Sequence, residues 1–145
     1  MGIRSSVEPV TSPLTTPKPG KGLTIALWTV QILLFLLFAG TGLWKLTTPV
    51  AALAAKFPWM GEVSPAFLRL TAVFDLLGGL GVVLPTLTRV KPGLTVLAAL
   101  GCALFQLCAI AFHVARGEAA NTPFNVFLVA LSVFVVWGRR RMGRR

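Results

Sequence analysis

One stretch determines how the rest of this chain must fold: Arg69-Leu-Thr-Ala-Val-Phe-Asp75-Leu-Leu-Gly-Gly-Leu-Gly-Val-Val-Leu-Pro85. It is long and apolar enough to cross a membrane as a helix, yet Asp75 places a carboxylate in its middle. A charged side chain at the centre of a bilayer costs about 3 kcal/mol or more. Asp75 must therefore face protein or water rather than lipid, and other helices of the chain must surround it.

The composition of the chain is that of a membrane protein. Of its 145 residues, 55% are apolar and only 12% are charged, and the charges cluster at the ends of the apolar runs. The net charge of +10 does not indicate a nucleic-acid partner, because basic residues next to spans first report orientation in the bilayer. Cys102 and Cys108 form neither a CxxC pair nor a metal-ligand spacing, so we expect no metal site.

Four apolar runs predict an all-α, polytopic bundle of four transmembrane helices. The predicted spans cover about residues 23–46, 66–84, 93–115 and 123–138. Ser64-Pro65 and Asn121-Thr122-Pro123 are typical helix starts, and Pro85 is expected to end the second span.

The segments outside these spans are short. The residues from Val50 to Phe57 predict a short interfacial helix in the first outer loop, and Trp59 suits the aromatic belt at the lipid boundary. Residues 1–22, rich in Pro, Ser and Thr, predict a disordered cytoplasmic tail without a cleaved signal, and residues 139–145 a basic cytoplasmic tail.

The distribution of basic residues predicts the orientation. The termini and the second loop hold ten of the 14 Lys and Arg residues, and the two loops on the other side hold four: Lys45, Lys56, Arg69 and Arg116. The positive-inside rule then places both termini in the cytoplasm of a cell (inner) membrane.

This orientation brings polar residues from all four spans together in the outer half of the bundle. Asp75 lies about 13 Å below the outer end of its span, level with Gln106, whereas the cytoplasmic half is expected to be almost purely apolar. Either these residues form a ligand pocket that opens outward, or they form a structural network with snorkelling cations. The candidate ligand-binding residues are Lys45, Arg69, Asp75, Gln106, His113 and Asn125, with Asn121 beside them as a helix cap.

Several of these segments resemble a known family in their order and spacing. They are Phe38-Ala39-Gly40 before Lys45-Leu46, the Asp75 to Pro85 segment, Phe112-His113 with Arg116-Gly117-Glu118, and Trp137-Gly138-Arg139. Over about residues 24–140 the chain is similar to the DoxX / DoxX-like family of small membrane proteins, although that family often has a glutamate in place of Asp75. The resemblance implies a four-helix membrane bundle associated with quinone-linked sulfur oxidation and thiol-stress oxidoreductase complexes. A receptor-assembly chaperone of animals looks similar in fold.

Two functions follow as hypotheses. In the first, the protein is a membrane subunit of an oxidoreductase system that binds a quinone or similar lipophile, with Lys45, Arg69 or His113 as donors and Asp75 and His113 as a proton relay. No haem, flavin, iron–sulfur or metal motif is present, so electrons would come from a partner subunit or a substrate. In the second, the protein is not an enzyme but an assembly chaperone or lipid-binding protein that uses the same groove.

Overall fold

The computed structural model describes Gly2 and residues 20–144, and the described chain contains helices and no strand. This confirms the predicted all-α fold. Apart from Gly2 and residues 20–22, the predicted disordered tail lies outside the described residues, as does Arg145 of the predicted basic tail. The helices are α1 (Lys21–Thr47), α2 (Val50–Lys56), α3 (Trp59–Glu62), α4 (Pro65–Thr88), α5 (Gly93–Ala115) and α6 (Thr122–Gly143), with one 3₁₀ turn at Ala119–Asn121.

The helices α1, α4, α5 and α6 are each long and apolar enough to cross a membrane. Their outward faces carry large aliphatic side chains that no protein atom covers; Ile25, for example, is 66% exposed and Leu97 is 65% exposed. A soluble domain rarely exposes apolar surface continuously, whereas lipid covers such surface in a membrane. The predicted four-helix membrane bundle is therefore confirmed.

The four long helices form a closed ring in which α1 packs on α4, α4 on α5, α5 on α6, and α6 on α1. Glycines set the tightest of these contacts. A Cβ at Gly42 would lie 2.6 Å from the Ala72 carbonyl oxygen, and one at Gly79 would lie 2.8 Å from the Ala39 nitrogen. The backbones of α1 and α4 thus touch through two glycines, as is common between transmembrane helices.

The prediction that Pro85 ends the second span was wrong, because α4 continues through this proline to Thr88. A proline removes one hydrogen bond and strains the preceding turn. Here Gln31 of α1 donates from Nε2 to the Val82 carbonyl oxygen at 2.5 Å and to Thr86 Oγ1 at 3.3 Å. Such hydrogen bonds from a neighbouring helix allow a proline inside a membrane helix.

Two further helix ends differ from their predicted positions. The last span was expected to stop at residue 138, but α6 runs on through the arginine cluster to Gly143. The first was expected to begin at residue 23, but α1 begins at Lys21. The one-turn helix α3 follows α2 in a segment for which the sequence predicted no further helix.

The prediction of an apolar cytoplasmic half was also wrong. Gln31 and Thr95 are fully buried near the end of the bundle that carries the chain termini. Thr86 and Thr95 share a hydrogen bond of 2.8 Å, and Arg139 Nε donates to Gln31 Oε1 at 2.8 Å. We call these four residues the terminal-end network; it joins all four long helices.

At the opposite end of the bundle, the segment from α2 to α3 covers the helix ends, and we call this the loop end. Leu53, Met60 and Leu68 form a small apolar cluster that fixes α2 and α3 against the first turns of α4. The predicted start of α4 is confirmed, because Ser64 Oγ accepts a hydrogen bond of 3.2 Å from the Phe67 nitrogen.

Candidate functional site

A cavity of about 540 Å³ lies at the loop end, and residues from all four long helices line it; we call it the polar cavity. Of the six predicted ligand-binding residues, Arg69 alone is absent from the lining. The remaining wall is mostly aromatic, which is typical of sites for small molecules. The polar residues of the lining include Lys45, Asp75, Gln106, His113, Asn121 and Asn125, and its aromatic residues are Phe38, Trp44, Phe57, Trp59, Phe67, Phe105, Phe112 and Phe124.

Asp75 is paired with Lys45 of the neighbouring helix. Lys45 Nζ lies 2.5 Å from Asp75 Oδ2, and the two side chains are only 7% and 5% exposed. The approach is off the direction of a hydrogen bond, so Oδ2 is buried without a hydrogen-bond partner among the described residues. We treat the contact as an ion pair, because so short a separation between opposite charges is attractive whatever its angle. Lys45 also donates to Thr71 Oγ1 at 3.2 Å.

The α1–α4 packing explains why Lys45 reaches Asp75. Gly42 lies one turn before Lys45 on the same face of α1, and a Cβ there would lie 3.2 Å from the Asp75 Cβ. The two backbones are therefore closest next to the pair, and a lysine at the end of α1 is well placed to bend back along the groove.

Arg69 has a different role from the one the sequence predicted. Its guanidinium donates to the backbone carbonyl oxygens of Lys45 and of Thr48, the latter at 3.1 Å. These are carbonyls at the C-terminal end of α1, where a cation satisfies unpaired acceptors and the helix dipole. Arg69 thus fixes the end of the helix that carries Lys45.

Gln106 and Asn125 form the second polar contact of the cavity. Asn125 Nδ2 donates to Gln106 Oε1 at 2.6 Å, joining α5 to α6. The sequence placed these residues in two separate layers, with Lys45 and Asn125 above Asp75 and Gln106. The structure instead joins Lys45 to Asp75 and Asn125 to Gln106, because these side chains turn into the bundle.

His113 is held by a residue that the sequence analysis did not single out. His113 Nδ1 lies 2.9 Å from Glu118 Oε2. A helix-ending turn explains this contact: Gly117 has a φ of +75°, its nitrogen donates to the Val114 carbonyl oxygen at 3.0 Å, and the Glu118 nitrogen donates to the His113 carbonyl oxygen at 2.8 Å. This pair of hydrogen bonds is a Schellman motif, which returns the chain to the helix that it leaves. The Arg116-Gly117 sequence was the signal that could have predicted it.

Glu118 also connects the site to the α2–α3 segment. Arg116 Nε donates to Glu118 Oε1 at 3.2 Å, and the same guanidinium contacts Glu62 of α3. The hydrogen bond to His113, and then the one to Arg116, lower the pKa of Glu118. Glu118 is therefore an anion at neutral pH and accepts a hydrogen bond from the Nδ1–H group of His113. This leaves Nε2 as the ring nitrogen available to a ligand.

Trp59 lines the polar cavity, a contact that the sequence did not predict. Its ring meets the His113 ring edge-on at a centroid distance of 5.6 Å and the Phe112 ring at 5.7 Å. The sequence could not show this, because α3 was not predicted and its one turn is what rotates Trp59 over the bundle.

A second, apolar space of about 440 Å³ adjoins the polar cavity between α4 and α5, and we call it the apolar groove. Cys108 is exposed and belongs to both linings, whereas Cys102 is buried beside the groove. Among the described residues, no group of three or more His, Cys, Asp or Glu side chains is placed to hold a metal ion.

Comparison with known proteins agrees with the resemblance seen in the sequence. The model of the family described as DoxX-like matches residues 29–135, which include both members of each polar contact within the cavity. A search of curated proteins and a search of solved structures each gave no match.

Proposed function

The chain belongs to the DoxX-like family, and from this premise we propose that it is an integral membrane protein that binds a quinone or a similar lipophile in the polar cavity. We further propose that it serves as the membrane component of an oxidoreductase system. One observation carries the proposal: polar residues from all four long helices line one cavity whose remaining wall is mostly aromatic. These polar residues are Lys45, Asp75, Gln106, His113 and Asn125.

The proposed assignments follow from the hydrogen-bonding capacity of each group. A quinone carbonyl accepts hydrogen bonds, and the amides of Gln106 and Asn125 carry N–H groups at the cavity wall, as does Nε2 of His113 when its ring is doubly protonated beside Glu118. The aromatic residues offer flat apolar surfaces to a planar ring. Arg69 is left out of the ligand set, because it does not line the cavity and two of its nitrogens donate to carbonyls at the end of α1.

Reduction of a quinone to a quinol takes up electrons and protons in equal number. We assign the protons to Asp75 and His113, two titratable groups of the cavity that Lys45 and Glu118 respectively hold in place. We assign the electrons to a partner subunit or a reduced substrate. In the orientation given by the positive-inside rule, the cavity opens toward the outer face of the cell membrane.

The binding test uses tryptophan fluorescence in nanodiscs. Trp44 and Trp59 line the cavity, so a bound quinone analogue should quench them. We expect His113→Phe to raise the Kd about tenfold, as is typical for the loss of one hydrogen bond to a ligand. Ser132→Ala is the matched control, because Ser132 is a buried polar residue of α6 that donates to Leu128 of its own helix and does not line the cavity.

The redox part is tested separately by reduction of the quinone analogue across a pH series, with a dithiol added as the electron donor and the rate without protein subtracted. Asp75→Asn should move the pH dependence of turnover more than it changes the Kd, if this acid carries protons. Wild-type protein that shows neither quenching nor turnover would remove the main support for the proposal. A non-enzymatic assembly or lipid-binding role for the same cavity would then lead, and capture of membrane partners would become the next measurement.

A further inference from the structure

We propose that the apolar groove between α4 and α5 holds the hydrocarbon tail of the ligand whose polar head occupies the polar cavity. The ligand class is then a head-and-tail lipid, such as a quinone with an isoprenoid chain, which enters sideways from the bilayer. This inference rests on the proposed function and deepens it.

The first argument is continuity. Phe38, Phe105 and Cys108 line both spaces, so the polar cavity and the apolar groove share a wall. The rings of Phe74 and Phe105 lie 5.9 Å apart, one on each of the helices that form the groove. A head in the polar cavity therefore lies beside an apolar space between α4 and α5.

The second argument is chemical. Apart from thiols, every side chain that lines the groove is a hydrocarbon or a glycine, so the groove has little to offer a polar head. Leu77 and Leu104, at 59% and 63% exposure, belong to its rim and face the lipid side of the bundle. Gly101 faces open space on this side of α5, whereas Gly78 packs against Cys102 at the base of the groove. An open apolar channel with small residues at its base fits a flexible chain.

Gly101 offers a way to fill the groove without disturbing the bundle. A Cβ at Gly101 meets no atom within 4 Å, whereas one at Gly78 would lie 2.8 Å from Cys102 Sγ. Gly101→Phe therefore places a ring in the groove and leaves the polar cavity intact. The matched control is Gly40→Phe on α1. A Cβ at Gly40 also meets no atom within 4 Å, and Gly40 lines neither the polar cavity nor the apolar groove.

The experiment compares two quinone analogues with the same head, one without a tail and one with a long alkyl tail. Binding to nanodiscs is followed by tryptophan quenching, with ligand concentration expressed per lipid so that partitioning is the same for all variants. The tail of the unbound analogue already lies in the lipid hydrocarbon. The wild type is therefore not required to bind the tailed analogue more tightly than the tailless one. The informative quantity is the change that Gly101→Phe causes in each Kd.

We expect Gly101→Phe to raise the Kd of the tailed analogue about tenfold and to leave that of the tailless analogue unchanged. Gly40→Phe should change neither, and circular dichroism should show the same helix content in all variants. If Gly101→Phe binds both analogues as the wild type does, or weakens both equally, the tail assignment is overturned while the proposed function stands. If wild-type protein binds neither analogue, the proposed function itself fails.

Discussion

At the scale of single residues, the Lys45–Asp75 pair is the feature on which the site depends. Taking two charges out of water costs several kcal/mol per ion, and their attraction repays this only while both are present. Both side chains are less than a tenth exposed, at 7% and 5%. Each charge therefore offsets the free-energy cost of burying the other in the bundle.

This dependence gives a prediction about which partner is worse to lose. Lys45→Met leaves a buried carboxylate unpaired and should destabilise the bundle by about 3–5 kcal/mol. Asp75→Leu should cost less, because Lys45 retains Thr71 as an acceptor and has a long stem that can carry its charge toward water. Thermal unfolding in detergent, followed by circular dichroism, measures both variants.

Lys56→Met is the control for that comparison, because Lys56 is an exposed cation outside the bundle interior. It should unfold as the wild type does. An Asp75→Leu variant that is less stable than Lys45→Met would contradict the account of the pair.

The residue types of the site could be predicted from the sequence, and their partners could not. A carboxylate in the middle of a span has to face protein, which correctly placed Asp75 inside the bundle. Which cation of the site pairs with Asp75 depended on the close approach at Gly42, which is a property of two packed helices. Glu118 was missed because its position next to His113 is created by the turn at Gly117.

At the scale of helices, glycines decide which faces meet. Gly40 and Gly42 lie two residues apart on α1, and their surroundings are opposite. A Cβ at Gly42 would meet backbone atoms of α4 at 2.6 Å and 2.8 Å, whereas a Cβ at Gly40 meets nothing within 4 Å. The first position therefore sets the α1–α4 distance and the second faces lipid.

A pair of alanine substitutions tests this assignment. Gly42→Ala should force α1 and α4 apart and destabilise the bundle by about 1–3 kcal/mol, the usual cost of overpacking. Gly40→Ala should leave the stability unchanged or raise it slightly, because alanine favours a helix more than glycine does. The readout is the same thermal unfolding in detergent, and equal effects of the two substitutions would refute the assigned packing.

The spans could be predicted because the length of each apolar run can be counted in the sequence. Several helix ends could not be predicted in this way. The proline rule failed at Pro85 since Gln31, on another helix, donates hydrogen bonds to the affected turn. The short helix α3 was missed because a single turn between Pro58 and Ser64 leaves no periodic pattern. The first error concerns a contact between helices that are distant in sequence, and the second concerns a helix too short to show a pattern.

At the scale of the whole molecule, polar groups are buried at both ends of the bundle, and the two ends differ in chemistry. The terminal-end network contains one cation, Arg139, bonded to Gln31, and no carboxylate among its members. We interpret it as a structural hydrogen-bond network that holds the four long helices together. The loop end combines a carboxylate, a histidine and amides around an open space, so we assign ligand binding to the loop end.

The orientation of the molecule decides which side of the membrane that space serves. Four spans put both described helix termini, Lys21 and Gly143, on the same side of the bilayer. The basic residues outside the spans are concentrated on that side, in the terminal segments and in the loop with Arg89 and Lys91. Because such residues resist translocation, we expect the termini in the cytoplasm and the 116–121 turn outside.

Single cysteines placed at two positions measure this orientation. In a background without Cys102 and Cys108, Ala120→Cys lies in the turn of the loop end and Met142→Cys lies near the end of α6. A membrane-impermeant maleimide added to intact cells should label position 120 and should reach position 142 only after the cells are opened. Labelling of position 142 alone in intact cells would invert the orientation, and the polar cavity would then exchange its ligand with the cytoplasmic leaflet.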